Sequence, residues 1–209
     1  MIYVPEEYQT GKVVVPKKNI LAAAVRLAER IARDFRGTGI RPILLCVDEG
    51  AQYFFNILTV QLYERKCEYD VAHIRVKSYR KDESSGNVEI SNYHGPELAG
   101  RWVIIVEDII DTSLSMRELA LYLTGHGVLG YDICTMLFKK RPDNLVWRLL
   151  GLRGIFGFLN IKYVGVFIEN LFVVGCGLDY CECLRNLADV VVISPEAKRY
   201  IDKVQLHLL

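Results

Sequence analysis

Apolar residues recur at spacings of three and four from Leu21 through Ala24, Val25, Ala28, Ile31, Ala32 and Phe35, the signature of one face of an amphipathic helix. Asn19 reads as its N-cap, and Gly37 or Gly39 as its stop. After Pro42 the pattern becomes a continuous apolar run, Ile43-Leu44-Leu45-Cys46-Val47, of the kind found in strands covered on both faces. A second helical pattern follows Asp48-Glu49-Gly50, through Phe55, Leu58 and Leu62. Further strands are predicted over 71–76, 102–106, 133–138, 163–167 and 190–193, and a helix over 119–123. Strands alternating with helical segments predict an α/β domain around a mostly parallel sheet. Ligands of such sheets bind beyond the carboxyl ends of the strands, so the residues that follow each apolar run carry the chemistry. The polar segment 81–100 breaks the alternation, with Ser84-Ser85-Gly86-Asn87 inside it. A connection of that length is either a lid or a hairpin excursion.

Composition narrows this picture. A chain of 209 residues lies between one and two domains of about 150 residues, and buries roughly 70% of its unfolded surface as a single core. With 51% hydrophobic and 24% charged residues it is neither disordered nor collagen-like. Its 26 Lys+Arg against 25 Asp+Glu, a formal +1, exclude the strongly basic balance of a nucleic-acid coat. Cys46, Cys67, Cys134, Cys176, Cys181 and Cys183 contain no C-x-x-C pair, so they read as free thiols of a reducing cytosol rather than a zinc ribbon or redox motif. The opening residues are acidic at Glu6 and Glu7, unlike a secretory signal. The expectation is a soluble, cytoplasmic protein.

The densest chemical signal is the run Val103-Ile104-Ile105-Val106-Glu107-Asp108-Ile109-Ile110-Asp111-Thr112-Ser113-Leu114-Ser115. It reads as a buried strand ending in two adjacent carboxylates, a turn with a third carboxylate and hydroxyls, then a helix. Ser115 with Glu118 three residues later has the capping-box spacing, which predicts a helix start near Ser115. A helix N-terminus after a strand is an anion site, with N–H groups and a favourable dipole aimed outward. Three carboxylates beside it call either for a cation such as Mg²⁺ that bridges them to a phosphorylated ligand, or for sugar hydroxyls that they accept from.

This run resembles the phosphoribosyl-pyrophosphate (PRPP) motif of type I phosphoribosyltransferases: four apolar residues, Glu-Asp, two apolar residues, then Asp-Thr-Gly-x-Thr. Further blocks resemble the 6-oxopurine branch, the hypoxanthine-guanine phosphoribosyltransferases. They are Leu45-Cys46-Val47 with Gly50 and Phe54-Phe55; Ile74-Arg75-Val76-Lys77-Ser78-Tyr79; Lys139-Lys140-Arg141-Pro142; and Phe172-Val173-Val174-Gly175 with Leu178-Asp179-Tyr180 and Arg185. They occur in order over about residues 40–195.

The resemblance implies one phosphoribosyltransferase domain over 1–209, with a core over about 20–170 and a small hood from about 1–19 and 171–209. It also implies a mobile lid over 80–100, rooted at Ser78 and Tyr79, that excludes water from an oxocarbenium-like ribosyl centre. Glu107 and Asp108 are implied to hold the ribose hydroxyls directly or through Mg²⁺, and Asp111 to exchange a proton with purine N7 as general base or acid. Asp111, Thr112, Ser113, Leu114 and Ser115 would wrap the 5′-phosphate. Lys139 would donate to the purine 6-oxo group, Phe172 would stack on the base, and the carbonyls of Val173 and Asp179 would accept from a 2-amino group. Asp179 would also ligate a second Mg²⁺, and Arg185 would pair with pyrophosphate.

The implied activity is purine salvage: pyrophosphate is displaced from PRPP by guanine, and by hypoxanthine, giving GMP or IMP. A homo-oligomer, dimer or tetramer, is implied, with no membrane span and no nucleic-acid partner. The alternatives are a catalytically silent nucleotide-binding regulator, which the presence of Asp111, Lys139 and Asp179 argues against, and a xanthine-directed transferase, for which no donor to a 2-oxo group is evident. An adenine-directed enzyme is disfavoured because Lys139 has nothing useful to donate to a 6-amino group.

Several positions depart from the pattern. The family's pyrophosphate loop, Leu-Lys-Gly-Gly and often with a non-proline cis peptide, is here Asp48-Glu49-Gly50-Ala51. Glu49 sets a negative side chain beside a negative ligand, so backbone contacts from Glu49 and Gly50 should persist and PRPP binding should lean more on Mg²⁺. Ser113 replaces a glycine, which is unfavourable if the position needs positive φ. Leu114 and Leu171 occupy positions that are commonly Lys. The stretch 143–161 is longer than the family's usual turn, and its 145–159 portion holds ten apolar residues with Arg148, Arg153 and three glycines. Two arginines, each costing roughly 2.5–3.5 kcal/mol at a bilayer centre, exclude a membrane span. A subunit contact, a flap near the purine pocket and a membrane-surface segment remain open.

Overall fold

The computed structural model describes residues 3–9, 11–78, 88–111, 113–141 and 159–206. In chain order the elements are β1 (Val13–Val15), α1 (Lys17–Phe35), β2 (Ile43–Asp48), α2 (Gln52–Glu64), β3 (Asp70–Ser78), β4 (Val88–His94), β5 (Trp102–Ile110), α3 (Leu114–Gly125), β6 (Gly130–Lys140), β7 (Ile161–Glu169), β8 (Val173–Val174), β9 (Val190–Val192) and α4 (Pro195–Leu206).

Six strands form one sheet in the order β4-β3-β2-β5-β6-β7. Every neighbouring pair is parallel except β3 with β4, which is antiparallel. Its middle strands are apolar through most of their length because helices cover the sheet: α1 and α2 pack on each other and between them on β2, β5, β6 and β7, while α3 packs on β3 and β4. Chain order runs outward from β2 on one side to β3 and on the other to β5, so the connection reverses between β2 and β5. Such a switch point opens a crevice at the carboxyl ends of the two strands. Here the β2–β5 ladder ends at Cys46 with Val106, although β5 stays paired to β6 as far as Ile110 with Phe138. Beyond Val106, β5 is therefore uncovered on the β2 side.

A second, three-stranded antiparallel sheet, β1-β9-β8, joins residues from both ends of the chain. Beneath it Val4, Val174, Cys183, Leu184, Val191 and Ile201 form a small separate core, with Tyr8 stacked on Tyr200 at 4.9 Å. The Tyr180 hydroxyl donates to Asp202 at 2.6 Å, anchoring α4 to this unit. Among the described residues no helix is long and apolar enough to cross a membrane.

The helix α1 buries Ile20, Ala23, Ala24, Leu27, Ala28, Ile31 and Ala32. Ala24, Ala28, Ile31 and Ala32 belong to the stripe that the periodicity predicts, whereas Leu21 is exposed and Val25 and Phe35 are only partly buried, so the buried face is rotated toward Ile20, Ala23 and Leu27. The helix starts three residues earlier than expected. Pro16, with φ −61°, leads into it, and Asn19 lies within the first turn instead of capping it. The first N–H, of Lys17, is met by the Asp189 carboxylate at 2.7 Å, a partner 172 residues away. The polar segment 81–100 contains a strand, β4, that the sequence pattern did not predict. Its burial alternates only weakly, as suits an edge strand with one neighbour. Residues 79–87, including Tyr79, and residues 142–158, most of the long 143–161 stretch, lie outside the described residues, as does Thr112.

Candidate active site

The β5 strand carries Glu107 and Asp108, as the reading of a strand that ends in two carboxylates expects, and runs on two residues further to Ile110. Where β2 leaves β5, their carboxylates replace the missing ladder partners. Glu107 accepts from the Asp108 N–H at 3.2 Å, and Asp108 from the Ile109 N–H at 2.6 Å. Glu107 is buried, and that burial, with Asp108 beside it, pushes its carboxyl well above the usual range. Burial also raises Asp108, helped by the nearby Asp179 charge and opposed by its hydrogen bonds and by Arg185.

Helix α3 begins at Leu114, one residue before the predicted start, and the capping box is absent. Ser113 occupies the N-cap with φ +66°, the left-handed region, and no side chain caps the helix. The turn from Asp111 thus demands the conformation for which glycine is the easy solution, and serine supplies it at a steric cost. The serine geometry turns the hydroxyl away from the capping position that a serine in extended conformation would use.

Asp111 lies at the end of β5, with its two carboxylate oxygens held by different cations: Oδ2 by Lys139 Nζ and Oδ1 by Arg141 Nη1, both at 2.8 Å. Lys139 comes from the end of β6 and is buried; Arg141 follows it. Against the burial that would raise it, these two cations hold the Asp111 carboxyl below its ordinary value. Such charge-assisted bonds are about twice as strong as neutral ones.

The loop after β2 forms the opposite wall. The Asp48–Glu49 peptide is cis, in keeping with the resemblance. A Cβ on Gly50 would stand 1.9 Å from Asp108 Oδ2, so only glycine lets this backbone lie against the acidic strand. Gly177, with φ +97°, is constrained likewise, since its Cβ would come within 2.5 Å of the Gly50 carbonyl. Glu49 does not face an incoming anion unbalanced: its carboxylate is bonded by the Arg75 guanidinium, with Arg185 Nη2 3.9 Å away. Arg185 Nη1 bonds the Gly177 carbonyl at 2.8 Å and Asp179 Oδ1 at 3.0 Å, while Asp179 Oδ2 accepts from the Glu182 N–H at 2.7 Å.

Together these groups line a cavity of about 420 Å³, within the range of small-molecule sites. Its walls include Glu49, Gly50, Glu107, Asp108, Asp111, Ser113, Ser115, Asp179 and Arg185. Lys139 is one residue back, reaching the cavity through Asp111. Leu114 is exposed. Phe172 and Val173 are not in the lining: Phe172 is about half exposed, edge-on to Tyr180 at 5.6 Å, and Val173 is buried with its backbone paired to Val192. Ser78 closes β3. Arg75 and Arg141 had no role in the sequence reading. Each sits inside a block quoted for the resemblance, and the signal for each was an acid with no assigned cation, Glu49 and Asp111.

A strand-end acidic pair at a switch point, a tight turn into a helix and a lysine–aspartate pair beside it define a phosphoribosyltransferase. The family model for the phosphoribosyl transferase domain matches residues 14–148. Within that class the chain belongs to the hypoxanthine-guanine phosphoribosyltransferase family of purine phosphoribosyltransferases. It is 33% identical over 206 residues to the hypoxanthine-guanine phosphoribosyltransferase of the pig, Sus scrofa, spanning 93% of this chain and 87% of that one. The human enzyme of the same name is 32% identical over the same length and shares. A Trypanosoma cruzi hypoxanthine phosphoribosyltransferase, studied for its C-terminal region, oligomeric state and activity, superposes with a TM-score of 0.79 at 30% identity, covering 95% of this chain and all of that one. A point variant of the T. cruzi enzyme in complex with its product IMP superposes at 0.77 with 31% identity, covering 95% of this chain and 99% of that one.

Proposed function

We propose that the chain transfers the 5-phosphoribosyl group of PRPP to guanine, and to hypoxanthine, releasing pyrophosphate and GMP or IMP. The observation that carries this reading is Asp111, held ionised between Lys139 and Arg141 at the edge of an acid-lined cavity. An ionised carboxylate is a proton acceptor suited to purine N7, which gives up its proton as the other imidazole nitrogen of the ring bonds to C1′. Lys139, buried and charged, is the donor to a 6-oxo group, and a 6-amino group would find no acceptor in it. Asp111, Thr112, Ser113, Leu114 and Ser115 would wrap the 5′-phosphate at the start of α3, through backbone N–H groups and the Thr112 and Ser115 hydroxyls. Phe172 stacks on the base, and the carbonyls of Val173 and Asp179 take a 2-amino group, which favours guanine. Arg185 and the backbone of Glu49 and Gly50 hold pyrophosphate.

Glu107, Asp108 and Asp179 suit a hard divalent cation, Mg²⁺, which prefers oxygen donors; the buried carboxylates of Glu107 and Asp108, pushed up by burial, would be relieved by such a dication. When bound, Mg²⁺ would neutralise the pyrophosphate leaving group. Asp179 must loosen its bond to Arg185 to take part. The segment 80–100, rooted at Ser78 and Tyr79, acts as the lid, and β1-β9-β8 with α4 forms the hood over the core. The six free thiols agree with a reducing, cytoplasmic setting. We read the assembly as a homo-oligomer, a dimer or tetramer, by analogy with the T. cruzi relative whose oligomeric state was studied.

Steady-state assays with PRPP, Mg²⁺ and each of guanine, hypoxanthine, xanthine and adenine test the reading. Turnover with guanine, less with hypoxanthine and none with adenine is expected. Silence with all four would turn the assignment to a regulatory nucleotide-binding protein, and turnover confined to xanthine to the other alternative.

A further inference from the structure

Asp48 replaces the leucine of the family's pyrophosphate loop and stands at the edge of the cavity lining, where its carboxylate is engaged by β3. It lies one strand position pair from Cys46, so period-two alternation sends both side chains to the same face of the sheet. The parallel register sets His73 of β3 directly beside Cys46. As a result a Cys46 sulfur, an Asp48 carboxylate oxygen and a His73 ring nitrogen all lie within 4.8 Å of one another. Asp48 Oδ1 already bonds His73 Nδ1 at 3.0 Å and accepts from Gln52 Nε2 at 3.2 Å. The His73 ring is backed by Phe55, centroid to centroid 5.6 Å. Cys46 is fully buried, while His73 and Asp48 stay partly open to solvent, which leaves one side for an exchangeable ligand.

We propose that Cys46, Asp48 and His73 form a binding site for one borderline transition-metal cation of the Zn²⁺ class, built on β2 and β3 at the edge of the cavity that Glu107, Asp108 and Asp179 line. Thiolate, imidazole and carboxylate are the donor set of tetrahedral Zn²⁺, whereas Mg²⁺ and Ca²⁺ take oxygen alone. With Zn–S about 2.3 Å and Zn–N or Zn–O about 2.0–2.2 Å, tetrahedral ligand atoms stand roughly 3.3–3.8 Å apart. A separation of up to 4.8 Å closes to that by small side-chain rotations, with no movement of the strands. Loading releases the Cys46 thiol proton, and His73 carries its proton on Nε2 so that Nδ1 ligates; water fills the fourth position. The cation then ties β2 to β3 at the root of the Glu49–Gly50 loop, next to the Glu49–Arg75 pair.

The test is a titration of the full chain with Zn²⁺ against a chromogenic chelator, and with Co²⁺ followed optically, both in excess Mg²⁺. One equivalent of Zn²⁺ is expected, and Co²⁺ should show a sulfur-to-cobalt charge-transfer band with the strong visible bands of a tetrahedral site. His73→Phe should weaken binding by more than about a hundredfold, beyond the 10–100-fold that loss of an outer-shell partner costs. Cys46→Ser should remove the charge-transfer band. Because Cys46 is in the core, His73→Phe and Asp48→Leu, at partly open positions, keep the test decisive if Cys46→Ser does not fold. Asp179→Asn and the Cys181→Ser/Cys183→Ser double variant should retain the equivalent. Absence of Zn²⁺ binding, a cobalt spectrum without the sulfur band, or binding unchanged in His73→Phe would overturn the proposal.

Discussion

Replacing Glu49 by Gln should tighten PRPP binding, against the usual expectation that a change in a substrate loop weakens it. In the protein without substrate, the Glu49 carboxylate occupies the Arg75 guanidinium and stands 3.9 Å from Arg185. An incoming pyrophosphate meets that carboxylate and competes with it for the arginines. Unit charges 4 Å apart interact by about 1 kcal/mol in water and about 4 kcal/mol at an effective dielectric of 20. The Glu49 and Arg75 side chains are 47% and 37% exposed, so the lower figure applies, in line with the roughly 0.2–1 kcal/mol measured for exposed pairs. Releasing two arginines and removing one repulsion then gives about 1 kcal/mol, or roughly a fivefold lower KM for PRPP, on the scale of tenfold per 1.4 kcal/mol. The kcat should stay within about twofold, since the change acts on ground-state and transition-state binding alike.

Initial rates over a PRPP series, at low salt and at about 0.5 M salt, provide the assay. The Debye length shortens from about 10 Å at 0.1 M to about 3 Å at 1 M, so the gain in Glu49→Gln should shrink as salt rises. Glu49→Lys should lower KM further and reduce the Mg²⁺ needed for half-maximal rate. An unchanged or raised KM in Glu49→Gln at low salt would refute the competition. A gain that persists undiminished at high salt would mean that the loop has rearranged instead.

Asp111→Asn should lower kcat by about 10²–10⁴-fold with a small change in PRPP KM, as for loss of a general base, read by single-turnover kinetics. Arg141→Ala removes one of the two cations that hold Asp111 low, so the acid limb of the kcat/KM profile should move to higher pH. By the same linkage, the stability that Asp111 contributes is complete above its unfolded value of 3.8 and is lost as pH falls through the lower folded value. Lys139→Ala should cost guanine and hypoxanthine about 1.5–3 kcal/mol in kcat/KM, the range for a hydrogen bond to a charged group. Glu107 has the opposite sign: its folded pKa lies above 4.5, so stability falls as pH rises through that window and the native state gives up its extra proton. Glu107→Gln should therefore raise the Tm of the metal-free protein at pH 7–8, by about 2–4 °C per kcal/mol recovered, while weakening Mg²⁺-dependent PRPP binding; an unchanged Tm would mean that Glu107 is not held against its ionisation.

Legibility followed the range of the interaction. The strands β2, β5 and β6 announce themselves because a covered strand is apolar at consecutive positions, a property written in its own residues. The buried face of α1 is set by the neighbours it packs on, which take Ile20, Ala23 and Leu27 and leave Leu21 exposed, but the existence of the helix is legible from its spacing of three and four. The start of α1 is not, because its first N–H is met by Asp189 from the other end of the chain, and Pro16 rather than Asn19 turns the backbone into the helix. The Ser115–Glu118 box failed because Asp111 leaves β5 through a left-handed Ser113, which starts the helix one residue earlier. The edge strand β4 was missed because one paired edge and weak burial leave little alternation to read.

The same contrast governs the site. Local sequence placed Glu107, Asp108 and Asp111 together, since one strand and one turn carry them all. Which cation answers which acid depends on sheet order instead: Arg75 reaches Glu49 because β3 lies beside β2, and Arg141 reaches Asp111 because β6 lies beside β5. Once these pairs are drawn, the near-zero net charge resolves into unequal parts. Asp111 and Glu49 each have a cation from a distant part of the chain, and Asp179 has Arg185 from its own loop. Among the described residues no Lys or Arg forms an ion pair with Glu107 or Asp108; Arg185, the nearest in effect, is engaged by Asp179 and Gly177. Desolvated carboxylates without a protein cation raise their pKa until a mobile cation or a hydroxyl-rich ligand relieves them. The acids without a cation of their own therefore fall where β2 parts from β5, the place where a mobile cation or a hydroxyl-rich ligand would relieve them.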